Sequence, residues 1–284
     1  MDILERNKLE LTAYKIRKNA IDAVYSAGSG HPGGSLSISD ILSVLYFKEM
    51  NVEPKNPDMD DRDRFVLSKG HCAPALYGAL AEKGYIPKED LLTLRKTTSY
   101  LEGHPDKKKI PGVDMSSGSL GQGISAANGM ALAAKIDNKD FRVYTILGDG
   151  EIQEGQVWEA AMFAAHYKLD NLTAFVDYNS LQIDGSIQEV MSPEPIADKF
   201  EAFGWNVISI DAHDVEAISD AVNKAKATKG KPTMIVAKSI KGKGVSFMEN
   251  NVSWHGSAPN AEQYEIAVSE LNAKISELEG KCNG

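Results

Sequence analysis

Two stretches of the chain, Arg142–Gly148 (RVYTILG) and Leu172–Tyr178 (LTAFVDY), are almost continuously apolar. A strand with one wet face alternates polar and apolar side chains, so a strand without that alternation is covered on both faces. Such burial belongs to the inside of a parallel sheet with helices on either side. Three further runs, Arg64–Ser68, Trp205–Ala212 and Thr233–Ile240, share the β-branched character. Between the runs lie segments with helical spacing: Ala73–Lys83, Ile124–Ile136, Val157–Leu169 and Val215–Thr228. Strands that alternate with helices predict βαβ units, and hence an α/β fold, doubly wound, with a mainly parallel sheet and helices on both faces.

The flanks are helical. Leu9, Ala13, Ile16, Ala20, Ala23 and Val24 fall three to four apart and predict an amphipathic helix ending near Gly28. A second helix is expected over Ile38–Glu49, so residues 1–60 form a helical segment without a clear strand. A last helix is expected over about 262–281. No repeat, low-complexity tract or long linker interrupts the chain, which predicts one domain over residues 1–284.

Charge and cysteine content restrict the classes of function. With 31 basic and 40 acidic residues the net charge is −9, which argues against a nucleic-acid binder. It also implies that an anionic ligand is held by a metal or by backbone amides rather than by a basic surface. The two cysteines, Cys72 and Cys282, cannot build a disulfide framework and point to a reducing compartment. The N-terminus is charged throughout, and no run of about 18 apolar residues exists to span a membrane. The expectation is a soluble cytoplasmic protein.

Glycines cluster in loops. The literal G-x-G-x-x-G at Gly28, Gly30 and Gly33 lacks the preceding strand that a dinucleotide site needs, and Pro32 lies inside it. The cluster GDGEIQEG (148–155) follows directly on a strand, so Asp149 stands at a carboxyl end. Asn179 stands at the end of the next strand, thirty residues on, and the two can meet in the crevice above the sheet. A carboxylate, an amide oxygen and a nearby carbonyl are hard ligands of the kind Mg²⁺ or Ca²⁺ takes, with diphosphate oxygens completing the shell. Gly148 and Gly150 would let the backbone approach that diphosphate. KGKG (241–244) reads as a solvated basic turn.

Four of the six histidines, His31, His71, His104 and His255, lie in glycine- or proline-flanked loops, where sites on α/β scaffolds concentrate. They are expected to form a cluster that handles protons of polyol substrates or contacts phosphate. His166 and His213 read as surface or capping residues. Zinc-ligand spacing, a G-x-S-x-G elbow and a Walker loop are all missing from the sequence.

Taken in order, GHPGGSLS, LSKGH, EGHP, SGSLGQG, GDG…N and SWHG resemble the thiamine-diphosphate-binding N-terminal part of a transketolase. The resemblance runs from about residue 10 to about 265 and is closest to the separate N-terminal subunit of split transketolases. It implies that Asp149, Asn179 and the carbonyl of Leu181 hold Mg²⁺ (or Ca²⁺ or Mn²⁺), and that Gly148 and Gly150 lie near the diphosphate. Gly118 and Leu120 would border the aminopyrimidine ring. His71 and His255 would sit near the diphosphate and the reacting carbon, while His31 and His104 would bind donor-sugar hydroxyls and serve proton transfer. Glu154 resembles a glutamate of the carboxylate network that links paired active sites. Ser119 departs from the proline usual at its position.

The implied activity is transfer of a two-carbon ketol unit from a ketose phosphate to an aldose. The glutamate that activates the aminopyrimidine, and the arginines that bind sugar phosphate, would come from a C-terminal partner subunit with pyrimidine-binding and C-terminal domains, in an α₂β₂ assembly. The alternatives are the α subunit of a 2-oxoacid dehydrogenase-type enzyme and a non-catalytic regulatory homologue.

Overall fold

The computed structural model describes residues 1–283. Five parallel strands make the central sheet: β1 (Arg64–Leu67), β2 (Val143–Gly148), β3 (Leu172–Tyr178), β6 (Asn206–Asp211) and β7 (Thr233–Lys238), in the spatial order β1-β2-β3-β7-β6. These are the five runs read from the sequence. The period of two divides each strand between two cores. Phe65, Leu67, Tyr144, Ile146, Phe175 and Ile235 face one hydrophobic layer, while Val66, Val143, Leu147, Leu172, Ala174 and Met234 face the other.

The first layer is covered by α1 (Ile3–Ala27), α3 (Ser39–Val44), α4 (Ala73–Lys83) and α9 (Val215–Ala227). The second is covered by α5 (Gln122–Ile136), α6 (Gly155–His166) and α8 (Ile196–Ala202). Helix α1 starts on an Asp2 cap and stops at Gly28, whose φ of 60° lets its N–H turn back to the Tyr25 carbonyl. Helix α10 (Ala261–Asn283) lies along α1, with Leu271 and Ala267 buried.

Two loops turn out to be ordered elements. Within the first glycine cluster, Pro32–Ser37 is a short helix, α2, with proline in its first turn, and the expected helix over Ile38–Glu49 divides into α3 and a π-helical turn over Leu45–Glu49. Gly33 and Gly34 disfavour a helix by propensity, yet close packing demands them. A Cβ on Gly33 would lie 2.8 Å from the Trp254 carbonyl, and one on Gly34 would lie 2.7 Å from Cys72 Sγ. The segment after Asn179 folds into a hairpin, β4 (Leu181–Gln182) with β5 (Gly185–Ser186), followed by α7 (Ile187–Val190).

Candidate active site

Parallel strands deliver their carboxyl ends to one side of the sheet. There, Lys69–Gly70–His71 follow β1, Gly148–Asp149–Gly150 end β2, Asn179 follows β3 and Lys241 follows β7. These exits surround a cavity of about 360 Å³. His31, His71, Gly118, Leu120, Gly148, Asp149, Gly150, Glu154, Asn179, Leu181 and His255 all line it. His104 does not; its ring packs behind the wall, 3.3 Å from where a Cβ on Gly118 would stand.

Three of the loop histidines form a triangle. Ring centroids are 5.1 Å apart for His31–His71, 5.6 Å for His31–His255 and 5.3 Å for His71–His255. Burial, reinforced by neighbouring cations, lowers all three proton affinities: His31 to about 4, His255 to about 3, and His71 well below its ordinary value. The rings are therefore neutral at pH 7 and can donate at one nitrogen and accept at the other. His255 Nδ1 accepts from the Lys241 ammonium at 3.0 Å.

Beneath the triangle lies a buried charge network that the sequence reading missed. Lys69 Nζ donates to Asp177 Oδ2 at 2.6 Å and to the Gly34 carbonyl at 3.0 Å. Asp177 also accepts from Ser37 Oγ at 2.8 Å, Asn179 Nδ2 at 3.0 Å and Ser239 Oγ. Burial opposes both charges, but their attraction wins, so the lysine's proton affinity is raised and the carboxylate's lowered. Glu151 accepts from the N–H groups of Gly121 and Gly148 at 2.9 and 3.0 Å, and from Ser68, which ties three site loops together.

KGKG is not a solvated turn at its first residue. Lys241 is 2 % exposed, lines the cavity, and donates to the Leu181 carbonyl at 3.3 Å. Two ammonium groups thus face the cavity, so an anion there need not rely on a metal and amides alone. The available signal was position, since Lys69 stands two residues past the end of β1 and Lys241 three past the end of β7. His213 is likewise not a surface residue. Its Nδ1 lies 2.7 Å from Asp40, which pairs with Arg17, and its Nε2 accepts from the Ile240 N–H at 2.9 Å, so it anchors the loop that carries Lys241. His166 is exposed, as expected.

Whether a metal fits can be judged from the donors. Asp149 accepts from the Gly150 N–H at 2.8 Å and the Ser180 N–H, which fixes its carboxylate. Because Asn179 Nδ2 is bound to Asp177, its Oδ1 is left as the acceptor side. Burial, then the charge of Asp177, pushes Asp149 up to about 7. The Asp149 carboxylate, the Asn179 amide oxygen and the Leu181 carbonyl, which here accepts from Lys241, form a hard-oxygen set that a divalent cation would complete, while Asp177 is committed to Lys69 and three hydrogen-bond donors. Among the described residues no group of three or more His, Cys, Asp or Glu could hold a metal, so an ion here would need the amide and carbonyl.

Residues 9–274 match the family described as transketolase, thiamine diphosphate binding domain. The chain is 51% identical over 263 residues to the 6-deoxy-6-sulfo-D-fructose transketolase subunit SqwG of Clostridium sp. (strain MSTE9), covering 93% of this chain and 96% of that protein. It is 46% identical over 276 residues to an apulose-4-phosphate transketolase subunit of Phocaeicola vulgatus, covering 97% and 98%. A transketolase structure from Pichia stipitis superposes with a TM-score of 0.87 at 32% identity, over 97% of this chain and 45% of that one. The chain therefore spans nearly all of the two subunits and less than half of the single-chain enzyme.

Proposed function

The chain belongs to the transketolase family as an N-terminal, thiamine-diphosphate-binding subunit, and from that premise we propose that it transfers a two-carbon ketol unit together with a second chain. The observation that carries this reading is convergence: histidines from three separate loops, the Asp149–Asn179 pair and two buried lysines meet in one cavity at the strand ends. Asp149, Asn179 and the Leu181 carbonyl would hold a divalent ion, with Mg²⁺ the natural choice for a diphosphate. Lys241, His71 and the backbone at Gly148 and Gly150 would hold the diphosphate, with Gly118 and Leu120 beside the aminopyrimidine. When bound, thiamine diphosphate supplies the electron sink for breaking the ketose C–C bond.

The protein's own part is orientation and proton handling. Neutral His31 and His255 can each accept a hydrogen bond from a sugar hydroxyl or donate one, while His104 backs Gly118 from outside the cavity lining. Their lowered proton affinities keep them from competing as cations with the metal. Glu154 lines the same cavity, at the start of α6, where it can join a carboxylate network with a second copy.

The substrate is proposed to be a ketose with an anionic end, the feature shared by the two sugars that name the relatives. Lys69 and Lys241, the two lysines that line the cavity, are committed to Asp177 and to the diphosphate, so recognition of that end falls to a pyrimidine-domain partner, in an α₂β₂ assembly. Co-purification with a candidate pyrimidine-domain chain, and assay with ketose phosphates and sulfonates, thiamine diphosphate and Mg²⁺, tests the reading. Transfer by the pair and none by either chain alone is expected. Full turnover by this chain alone would overturn it.

A further inference from the structure

Between α4 and the His104 loop, Arg95 holds a backbone conformation that side chains rarely adopt, with φ of 60°. Such a conformation persists when its surroundings hold it in place. The Arg95 N–H donates to the Leu101 carbonyl at 2.8 Å and closes the loop between them. A bond of 2.7 Å between the Thr93 and Ser99 hydroxyls ties that loop to the residues before it. The arginine side chain then runs back against Gly103, where a Cβ would stand 2.7 Å from its Cζ. Its Nη1 donates to Ser29 Oγ at 3.2 Å.

Gly103 immediately precedes His104, and Ser29 lies two residues before His31. One guanidinium therefore touches both the loop that carries His31 and the loop that carries His104. We infer that Arg95 is the positioning residue of the His31–His104 pair, bridging the two loops and fixing the spacing between His31 in the cavity and His104 behind Gly118. The assignment to substrate rests on the transketolase reading; the bridge itself does not.

The fork geometry matters, because a planar guanidinium can lie flat against Gly103 and reach Ser29 at once, whereas an ammonium is a compact point charge without that flat face. The charge matters too. Besides burial, Arg95 is the leading influence that lowers the proton affinity of both rings. The other groups facing His31 are His104, Lys241 and the rings of His71 and His255; His104 faces Arg95 and His31. None of these is a carboxylate that would offset the arginine.

The test uses the full chain with ¹³C-labelled histidines, and Arg95→Ala, Arg95→Lys and Arg95→Gln variants. In Arg95→Ala the imidazole midpoints of His31 and His104 should both rise, while the His71 signal stays in place as an internal control. Arg95→Lys should keep the midpoints low but shift the ring resonances, since the charge remains and the bridge is broken. Arg95→Gln keeps some reach under Gly103 and replaces the alanine variant if that one does not fold. In the assembled enzyme, Arg95→Ala should lower kcat/KM for the donor roughly tenfold or more, at unchanged thiamine diphosphate affinity. Arg95→Lys should recover only part of that loss. Unmoved midpoints and resonances in a folded variant, or a loss of cofactor affinity in step with activity, would overturn the assignment. If the wild-type assembly shows no ketol transfer, the transketolase reading fails while the histidine titration still decides the bridge.

Discussion

Replacing Asp177 by alanine removes the buried carboxylate that pairs with Lys69 under the cavity. Asp177 is fully buried, Lys69 is 2 % exposed, and the pair meets at 2.6 Å. The same carboxylate accepts from Ser37, Asn179 and Ser239. Breaking a buried pair by removing one partner costs about 3–5 kcal/mol, because the other charge stays buried without compensation. At about 2–4 °C per kcal/mol for a chain of this size, the melting temperature should fall by roughly 6–20 °C. Removing both charges in Lys69→Met/Asp177→Asn should restore more than half of the loss, since no uncompensated ion remains. Differential scanning calorimetry without ligand reads both effects. A loss under about 1 kcal/mol in Asp177→Ala, or a double variant as unstable as the single one, would refute the reasoning.

Gly123→Ala should destabilise the fold by roughly 1–3 kcal/mol in urea unfolding, because its Cβ would stand 2.5 Å from Ser68 Cα, a backbone atom that cannot swing away. His31 should contribute a pH dependence. Its folded value of about 4 lies below the ordinary 6.5, so the unfolded chain takes a proton first as pH falls. The stability it contributes is complete above pH 6.5 and is lost between there and pH 4, so thermal melts of His31→Gln should decline less over that window than those of the wild type. Lys241→Met should weaken thiamine diphosphate binding about tenfold or more in calorimetry, as loss of a charge-assisted contact does. Unchanged affinity would remove Lys241 from the diphosphate site.

Strands β2 and β3 were legible because double burial leaves a continuous apolar run, and α4 runs over Ala73–Lys83 as its spacing predicts. Asp149 and Asn179 were legible because each sits at the end of such a strand. Lys69, Lys241 and Asp177 were not, because lysine is by default a surface residue. What buries Lys69 is a partner 108 positions away in sequence, information that no local pattern carries. Helix α2 was hidden by Gly33 and Gly34, whose small size answers to Trp254 and Cys72 rather than to helix propensity. His104 shared its context with the other loop histidines, and only the fold shows that it stands behind Gly118 rather than inside the triangle.

The central claim is that the Asp149–Asn179–Leu181 corner holds a diphosphate through a divalent ion. Calorimetric titration of thiamine diphosphate into this chain with its partner, with Mg²⁺ and with EDTA, tests it for the wild type and Asp149→Ala. Binding that requires Mg²⁺ in the wild type and is lost in Asp149→Ala is expected. Equal affinity with and without the metal, or an Asp149→Ala variant that binds as tightly as the wild type, would contradict it.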